Sequence, residues 1–297
     1  MNLPGDFRVT LLGTGVPTPS PVRFGPSTLI EAGDRKLLVD AGRGATIRLH
    51  QLGVPLGGID ALLLTHYHSD HTSGIPDLWL TGWLRSPFGR RSTPLRVIGP
   101  VGAAELMAHL ARAYARDIAI RITDENLPPE GAATRAEEFL TDGVVYDEHG
   151  VKVIAFEVDH GAAIKPAFGY RVEYGGRVAV ISGDTRYNDN VVRYGSGADL
   201  LVHEVAIARP ELLQHAYVQP ILAHHTSPRE AGLVFARTKP KLAAYTHLVF
   251  LSGEGIAPAS VADLIVQTRE TYNGPLVVGE DLMSFDIGET VSLHHRS

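Results

Sequence analysis

No cysteine occurs anywhere in the 297-residue chain. That excludes disulfides and thiolate ligands together, so any metal held by these side chains must be held through nitrogen and oxygen. It also fits a reducing cytoplasm, which is the expected location. No run approaches the ~20 apolar residues that span a bilayer. Met1 to Thr10, with Asp6 and Arg8 among them, lacks the apolar core of a secretory signal. A membrane partner is therefore not expected. Positive charge is not in excess: 27 Lys and Arg stand against 33 Asp and Glu, a net charge of −6, which gives no global attraction to nucleic acid. A local exception is the group Arg85, Arg90, Arg91 and Arg96 around a Pro/Gly-rich loop, read as a solvated loop ahead of a substrate-binding surface. With 44% hydrophobic and 20% charged residues the composition is that of an ordinary globular protein, long enough to bury a core without staples.

What the chain does have is a dense run of metal ligands, His66-Tyr67-His68-Ser69-Asp70-His71, directly after the apolar run Ala61-Leu62-Leu63-Leu64. The apolar run reads as a buried strand and the cluster as the loop at its end. Imidazoles and carboxylates are the usual ligands of zinc and similar divalent ions. On an extended segment His66 and His68 point to one side, and Asp70 and His71 fall on the following turn, where they can face a second ion. Desolvating so many polar groups without a metal would be costly.

Strands are predicted at Phe7 to Leu12, Ser27 to Glu31, Lys36 to Val39 and Leu95 to Ile98, with helices over Arg43 to Leu52, Gly74 to Leu84 and Val101 to Ala115. Trp79 and Trp83 lie four apart on one helical face and read as packing. Thr123 to Glu148 is polar and proline-containing, and reads as a loop-rich excursion with short strands. Strands resume at Val151 to Val158, Phe168 to Glu173, Arg177 to Ile181 and Asp199 to Val202. Helices over Pro228 to Arg237 and Pro258 to Thr271 follow, then strands Leu276 to Val278 and Leu282 to Ile287.

His66-x-His68-x-Asp70-His71 resembles the signature of the metallo-β-lactamase superfamily. Further markers come in the matching order: Gly13-Thr14-Gly15, Leu38-Val39-Asp40-Ala41-Gly42, His160 after a strand, Ser182-Gly183-Asp184-Thr185, and Thr246-His247. The resemblance spans residues 7 to about 287. It implies an α/β fold, the four-layer αββα sandwich, as one hydrolase domain over residues 1–291 with a frayed tail at 292–297. It implies two divalent metal ions, zinc ahead of manganese or iron, and a homodimer. His66, His68 and His160 would bind the first ion, and Asp70, His71 and His247 the second. Asp184 would bridge them around the water that becomes the nucleophile.

Leu200 to Glu204, followed by His224-His225-Thr226-Ser227, is similar to the glutamate and His-Ser-Thr elements of the ribonuclease Z branch. By that resemblance Glu204 orients His225, which assists the leaving oxygen; His224 is the adjacent candidate, and His203 reads as structural. Asp70, His225 and Glu204 are thus the expected catalytic group. The long glycine-rich, basic arm that tRNA-processing members carry between His160 and Asp184 is absent, replaced by a tight Tyr174-Gly175-Gly176-Arg177 hairpin. From this and the acidic balance, the expected substrate is a small phosphodiester, sulfate ester or related ester, with no nucleic-acid partner. A lactone or carboxylic ester hydrolase, a tRNA 3′ endonuclease and a metal-binding scaffold without turnover are the alternatives. Thr81 to Pro94 and Ala206 to Leu222 are the segments expected to choose the substrate, with His215 and Tyr217 read as surface or packing.

Overall fold

The computed structural model describes residues 6–253 and 255–295. Met1 to Gly5, part of the segment read as no secretory signal, lie outside the described residues, as do 296–297 of the tail. Two sheets stack face to face. The first contains β1 (Phe7–Gly13), β2 (Ser27–Ala32), β3 (Arg35–Val39), β4 (Ala61–Leu63), β5 (Leu95–Pro100) and β6 (Thr134–Phe139). The second contains β7 (Gly143–Glu148), β8 (Val151–Glu157), β9 (Phe168–Tyr174), β10 (Arg177–Ile181), β11 (Leu200–Ile207), β12 (Leu242–Phe250) and β13 (Leu276–Val278). The chain then returns to the first sheet with β14 (Ser284–Ile287) and β15 (Val291–His294), giving orders β15-β14-β1-β2-β3-β4-β5-β6 and β13-β12-β11-β10-β9-β8-β7.

Three apolar layers explain why the sheets stack and helices cover them. Alternate residues such as Val9, Leu37, Val153 and Val202 fill the space between the sheets. The opposite residues of the same strands, such as Leu38, Leu62, Leu201 and Ala243, meet helices on the outer faces. The result is the expected αββα sandwich. β11 is buried along its whole length, which is why Leu200 to Ile207 is a nearly continuous apolar run. The helix Pro228–Thr238 starts where it does because Ser227 caps it, Glu230 closes a capping box, and Pro228 occupies the first turn.

The sequence reading departs from the structure at a helix and at the tail, and the short strands expected in its polar excursion are two edge strands. The predicted helix over Val101 to Ala115 is Ala103–Ala113, and after a break at Tyr114 a second helix, Ala115–Asp124, follows; none of its residues is fully buried, though Ile118 and Ile122, four apart, pack against the core. The polar excursion Thr123 to Glu148 carries the chain from one sheet to the other, ending in two edge strands, β6 and β7, whose charged residues suit an exposed edge. The tail does not fray at residue 292: Val291–His294 pairs with β14, and His294 lies 3.1 Å from Asp286.

Strands β3, β4, β5 and β6 are parallel, as are β10, β11, β12 and β13. Their carboxyl ends point to one rim of the sandwich, the usual place for a site in sheets of this kind. Asp40, the His66–His71 run and Asp184 lie just beyond those ends, while His247 lies within β12.

Candidate metal centre

The loop after β4 carries four expected ligands, and short turns bring it against the β1–β2 and β3 loops. Gly25 and Gly42 are required there: a Cβ on Gly42 would lie 2.4 Å from the carbonyl oxygen of Asp70, and one on Gly25 3.1 Å from it. From the other sheet, β8 delivers His160 and β10 delivers Asp184. Gly183 turns this corner at φ +63°, where a Cβ would also strike the Phe168 carbonyl. His247 arrives differently. The pairing of β11 with β12 shifts between Glu204 and Val205, so the β12 strand holds one extra residue there. That residue is His247, at φ +43°, and the bulge re-aims its side chain toward the rim.

Two groups of donors result. His66, His68, His160 and Asp184 each offer an atom, all within 4.8 Å of one another, and so do Asp70, His71 and His247. Asp184 Oδ2 lies 3.2 Å from both His71 Nε2 and His247 Nε2, and 3.7 Å from His160 Nε2, so it stands between the groups. All seven expected ligands are thus brought together.

The outer nitrogens show which atoms face inward. His71 Nδ1–H donates to Asp40 Oδ2 at 2.7 Å, and His160 Nδ1–H donates to the His224 carbonyl at 2.8 Å. His66 Nδ1–H reaches Thr65 Oγ1 at 3.0 Å, and that hydroxyl in turn donates to Asp40 at 2.7 Å. In each histidine Nε2 is left with a lone pair directed into the cluster. His66 Nε2 lies 3.0 Å from His68 Nδ1, and His160 Nε2 lies 3.3 Å from that same atom. His71 Nε2 is buried without a hydrogen-bond partner. Converging lone pairs in a buried site are satisfied by a cation, so the donor set fits divalent metal. Burial pushes His66 down, and His160 down to about 4, which keeps both neutral and able to ligate. Burial would raise Asp184, but His247 and His71 outweigh it and hold the carboxyl low.

Glu204 and His225 meet as expected. His225 Nδ1 lies 3.1 Å from Glu204 Oε2, while Glu204 Oε1 accepts from the Thr226 amide at 2.8 Å, so the carboxylate is fixed at both oxygens. Burial would lower His225; the charge and hydrogen bond of Glu204 more than offset it and raise the imidazole. His225 also has a donor atom within 4.8 Å of those of Asp184 and His247. His203 faces away from the rim, buried with its ring edge against Phe235, in agreement with a structural role.

A cleft of about 420 Å³ opens over the cluster. His68, Asp70, Asp184, His225 and His247 line it together with Tyr217, Ile221, Val249, Phe250 and Leu251. Of the two segments expected to choose a substrate, only Ala206 to Leu222 reaches it; none of Thr81 to Pro94 is among its lining residues. The arginine group is divided: Arg85 and Arg90 are exposed, but the other two are tied up within the protein. Arg91 is buried and donates to the carbonyls of Trp79 and Gly131, and Arg96 pairs with Glu137 and Glu148. Trp79 and Trp83 are buried packing residues, as read.

Asp40 is the residue whose role sequence reasoning missed. It takes hydrogen bonds from His71, the Thr65 hydroxyl and the Thr65 amide, at φ +58°, a conformation that aspartate tolerates better than most residues. Its place in the Leu38-Val39-Asp40-Ala41-Gly42 motif was the available signal.

A family model described as "Beta-lactamase superfamily domain" matches residues 35–248. The Ribonuclease Z of Mycobacterium marinum is 37% identical over 291 residues, covering 95% of this chain and 99% of that protein. The Ribonuclease Z of Mycolicibacterium paratuberculosis is 39% identical over 286 residues, covering 93% and 96%. Among solved structures, the metallo-beta-lactamase fold protein YhfI from Bacillus subtilis has a TM-score of 0.72 at 20% identity over 94% of this chain and 98% of that one. The short form of human tRNase Z has a TM-score of 0.70 at 23% identity, covering 95% and 99%. These two share the fold. The sequence relatives correct one expectation. A small-molecule ester partner with no nucleic acid does not stand beside end-to-end relatives named as ribonucleases. Net charge misled because it sums the whole surface and says nothing about the few side chains around one cleft.

Proposed function

We propose a function from one premise: the chain belongs to the metallo-β-lactamase superfamily, as a ribonuclease Z-like, metal-dependent hydrolase. On this reading the bond cut is a phosphodiester of RNA, on the 3′ side of a precursor tRNA. The observation that carries it is the end-to-end match to ribonucleases Z at 37% and 39% identity. The Glu204–His225 pair beside both donor groups supports it.

His66, His68 and His160 would hold one divalent ion and Asp70, His71 and His247 a second, with Asp184 between; zinc suits these donors best. When bound, such ions supply an activated water and offset the charge that builds on the phosphoryl oxygens. The chain's own residues do the rest. Asp40, Thr65 and the His224 carbonyl fix the tautomers of His71, His66 and His160, so the site needs no reorganisation to receive its ions. His225 stands at the leaving-group side. As hydroxide adds to phosphorus and the bond to the departing sugar oxygen breaks, the His225 proton moves to that oxygen, giving a hydroxyl on one fragment and a phosphate on the other. Glu204 holds the imidazole by Nδ1, stabilises its protonated form, and leaves Nε2–H free to donate. The resulting neutral imidazole is reprotonated by solvent. A cytoplasmic location goes with this substrate; among the described residues no helix is long and apolar enough to cross a membrane.

In place of an arm between His160 and Asp184, the described residues form the β9–β10 hairpin. Recognition then falls on the cleft itself. The test is cleavage of a precursor tRNA carrying a 3′ trailer by the purified protein reconstituted to two ions per chain, with the cut position mapped. Cleavage at the tRNA 3′ side is expected; intact precursor under these conditions overturns the reading.

A further inference from the structure

Apolar residues such as Ile221, Val249 and Leu251 share the cleft with the candidate metal ligands, and no lysine or arginine is among its lining residues. Beyond the proposed ions, phosphate neutralisation therefore has no side-chain source in the cleft, and affinity for the rest of the RNA there needs another contact. Tyr217 offers one. It is 47% exposed, yet it is held in place: its hydroxyl donates to the Ser252 carbonyl at 2.8 Å. Gly253 makes room for this anchor, since a Cβ there would lie 2.8 Å from the tyrosine oxygen and 2.7 Å from Leu212. The short helix Val218–Leu222 leads from Tyr217 toward His225, and Ile221 and His224 line the cleft between them. Tyr217 thus belongs to the same segment as the proposed proton donor, on the leaving-group side.

An exposed, anchored aromatic ring beside a phosphodiester-cleaving centre is what an unpaired base requires. Every base has a π-face, and stacking on an aromatic ring has little rotamer freedom to lose when the ring is already tied down. We propose that Tyr217 is the stacking platform for the unpaired nucleotide whose oxygen leaves, and so selects single-stranded RNA at that position with little regard to base identity. The inference rests on the RNA reading above. It makes Tyr217 a specificity-determining residue in a cleft that lacks both an arm and lining cations.

The test crosses two changes. One is in the RNA: the nucleotide on the leaving side of the scissile bond carries either its base or an abasic sugar. The other is in the protein: Tyr217→Ala, Tyr217→Leu and Tyr217→Trp. With the base present, Tyr217→Ala and Tyr217→Leu should lower kcat/KM by ~5- to 150-fold, the range found for a base stacked on an aromatic side chain. The loss should fall mainly on KM, and Tyr217→Trp should recover most of it. With the abasic RNA all four proteins should agree within about 2-fold, because the partner of the ring is gone; the scale is set by the same stacking range. Leucine keeps an apolar side chain but loses the hydroxyl bond to Ser252, so full activity of the variant on the abasic RNA is what separates lost stacking from lost structure. Equal losses on both RNAs, or a leucine variant as active as the parent, would overturn the inference while leaving the RNA reading intact. A parent protein that cuts no RNA at all would overturn both.

Discussion

Replacing Asp40 by asparagine should weaken one metal position and spare the other. The aspartate accepts three hydrogen bonds: the Thr65 amide at 2.8 Å, the Thr65 hydroxyl at 2.7 Å and His71 Nδ1–H at 2.7 Å. Asparagine matches its size and tolerates the left-handed backbone at φ +58°, so little strain is added. It cannot accept at both ends. If its oxygen stays on the Thr65 amide, its NH2 faces His71 Nδ1, which must then present a lone pair. The imidazole proton moves to Nε2, the atom 3.2 Å from Asp184 that would otherwise ligate. If the amide flips, two N–H groups face each other at Thr65. Either outcome breaks one partnership. Loss of such an outer hydrogen bond costs ~10- to 100-fold in metal affinity, or about 1.4–2.8 kcal/mol. His66 should be affected less, because the Thr65 hydroxyl can accept from it in either case. Competition against a chromophoric chelator, read as two affinities per chain, measures this. An Asp40→Asn protein with both parental affinities, or with both lowered equally, would refute the tautomer argument.

Other outcomes follow from the same geometry. Asp184→Ala should remove turnover and lower metal content at both positions, seen by elemental analysis of reconstituted protein, because its carboxylate stands 3.2 Å from two histidines of one group and 3.7 Å from one of the other. His225→Ala should lower turnover by ~10²–10⁴, the scale of a general acid, with metal content kept; loss of metal would show it to be a ligand, which its distance to Asp184 and His247 permits. Chelation should lower the melting temperature as well as activity, since an ion bound only by the folded state stabilises it by mass action. The pH dependence should carry a contribution from His203, which burial keeps below its ordinary value. Below the unfolded value of ~6.5 the unfolded chain takes up a proton that the folded one refuses, so unfolding becomes easier as pH falls, by up to ~1.4 kcal/mol per pH unit. Denaturant titrations of the parent and of His203→Leu between pH 5 and 8 should differ below ~6.5 and run parallel above it.

Much of the site was legible because the ligands are local. Four of the seven sit within six positions behind one strand, and His160 and Asp184 each follow an apolar strand whose end brings them to the same rim; His247 follows the apolar run Leu242 to Tyr245 but reaches the rim only through a bulge. The same logic found the sheets. What escaped has physical causes. Nothing in the letters around His247 announces a bulge, because its residues are as apolar as the rest of β12. Arg91 looked like part of a basic loop; its burial depends on carbonyls at Trp79 and Gly131, which only the packing of the helix Ile75–Trp83 on the Pro129–Ala132 turn brings together. The helix Ala115–Asp124 was missed because its stripe is only the partly buried pair Ile118 and Ile122, set among charged residues.

The substrate was the larger miss, and it shows where physical reading of a sequence stops. Two observations argued against RNA, the charge of −6 and the missing arm, and both are correct as observations. Each concerns how a protein holds a long polyanion from outside the centre. Neither concerns the bond being cut. Two divalent ions bound as proposed would carry positive charge that the sequence count omits, placed where a phosphodiester would lie. With Asp70, Asp184, Glu204 and the histidines around it, the local sign of the loaded cleft is set by its ions and not by the chain total. The net charge therefore bears on the salt dependence of RNA binding, which should be shallow beside that of a basic RNA-binding protein. It does not decide whether RNA is the substrate.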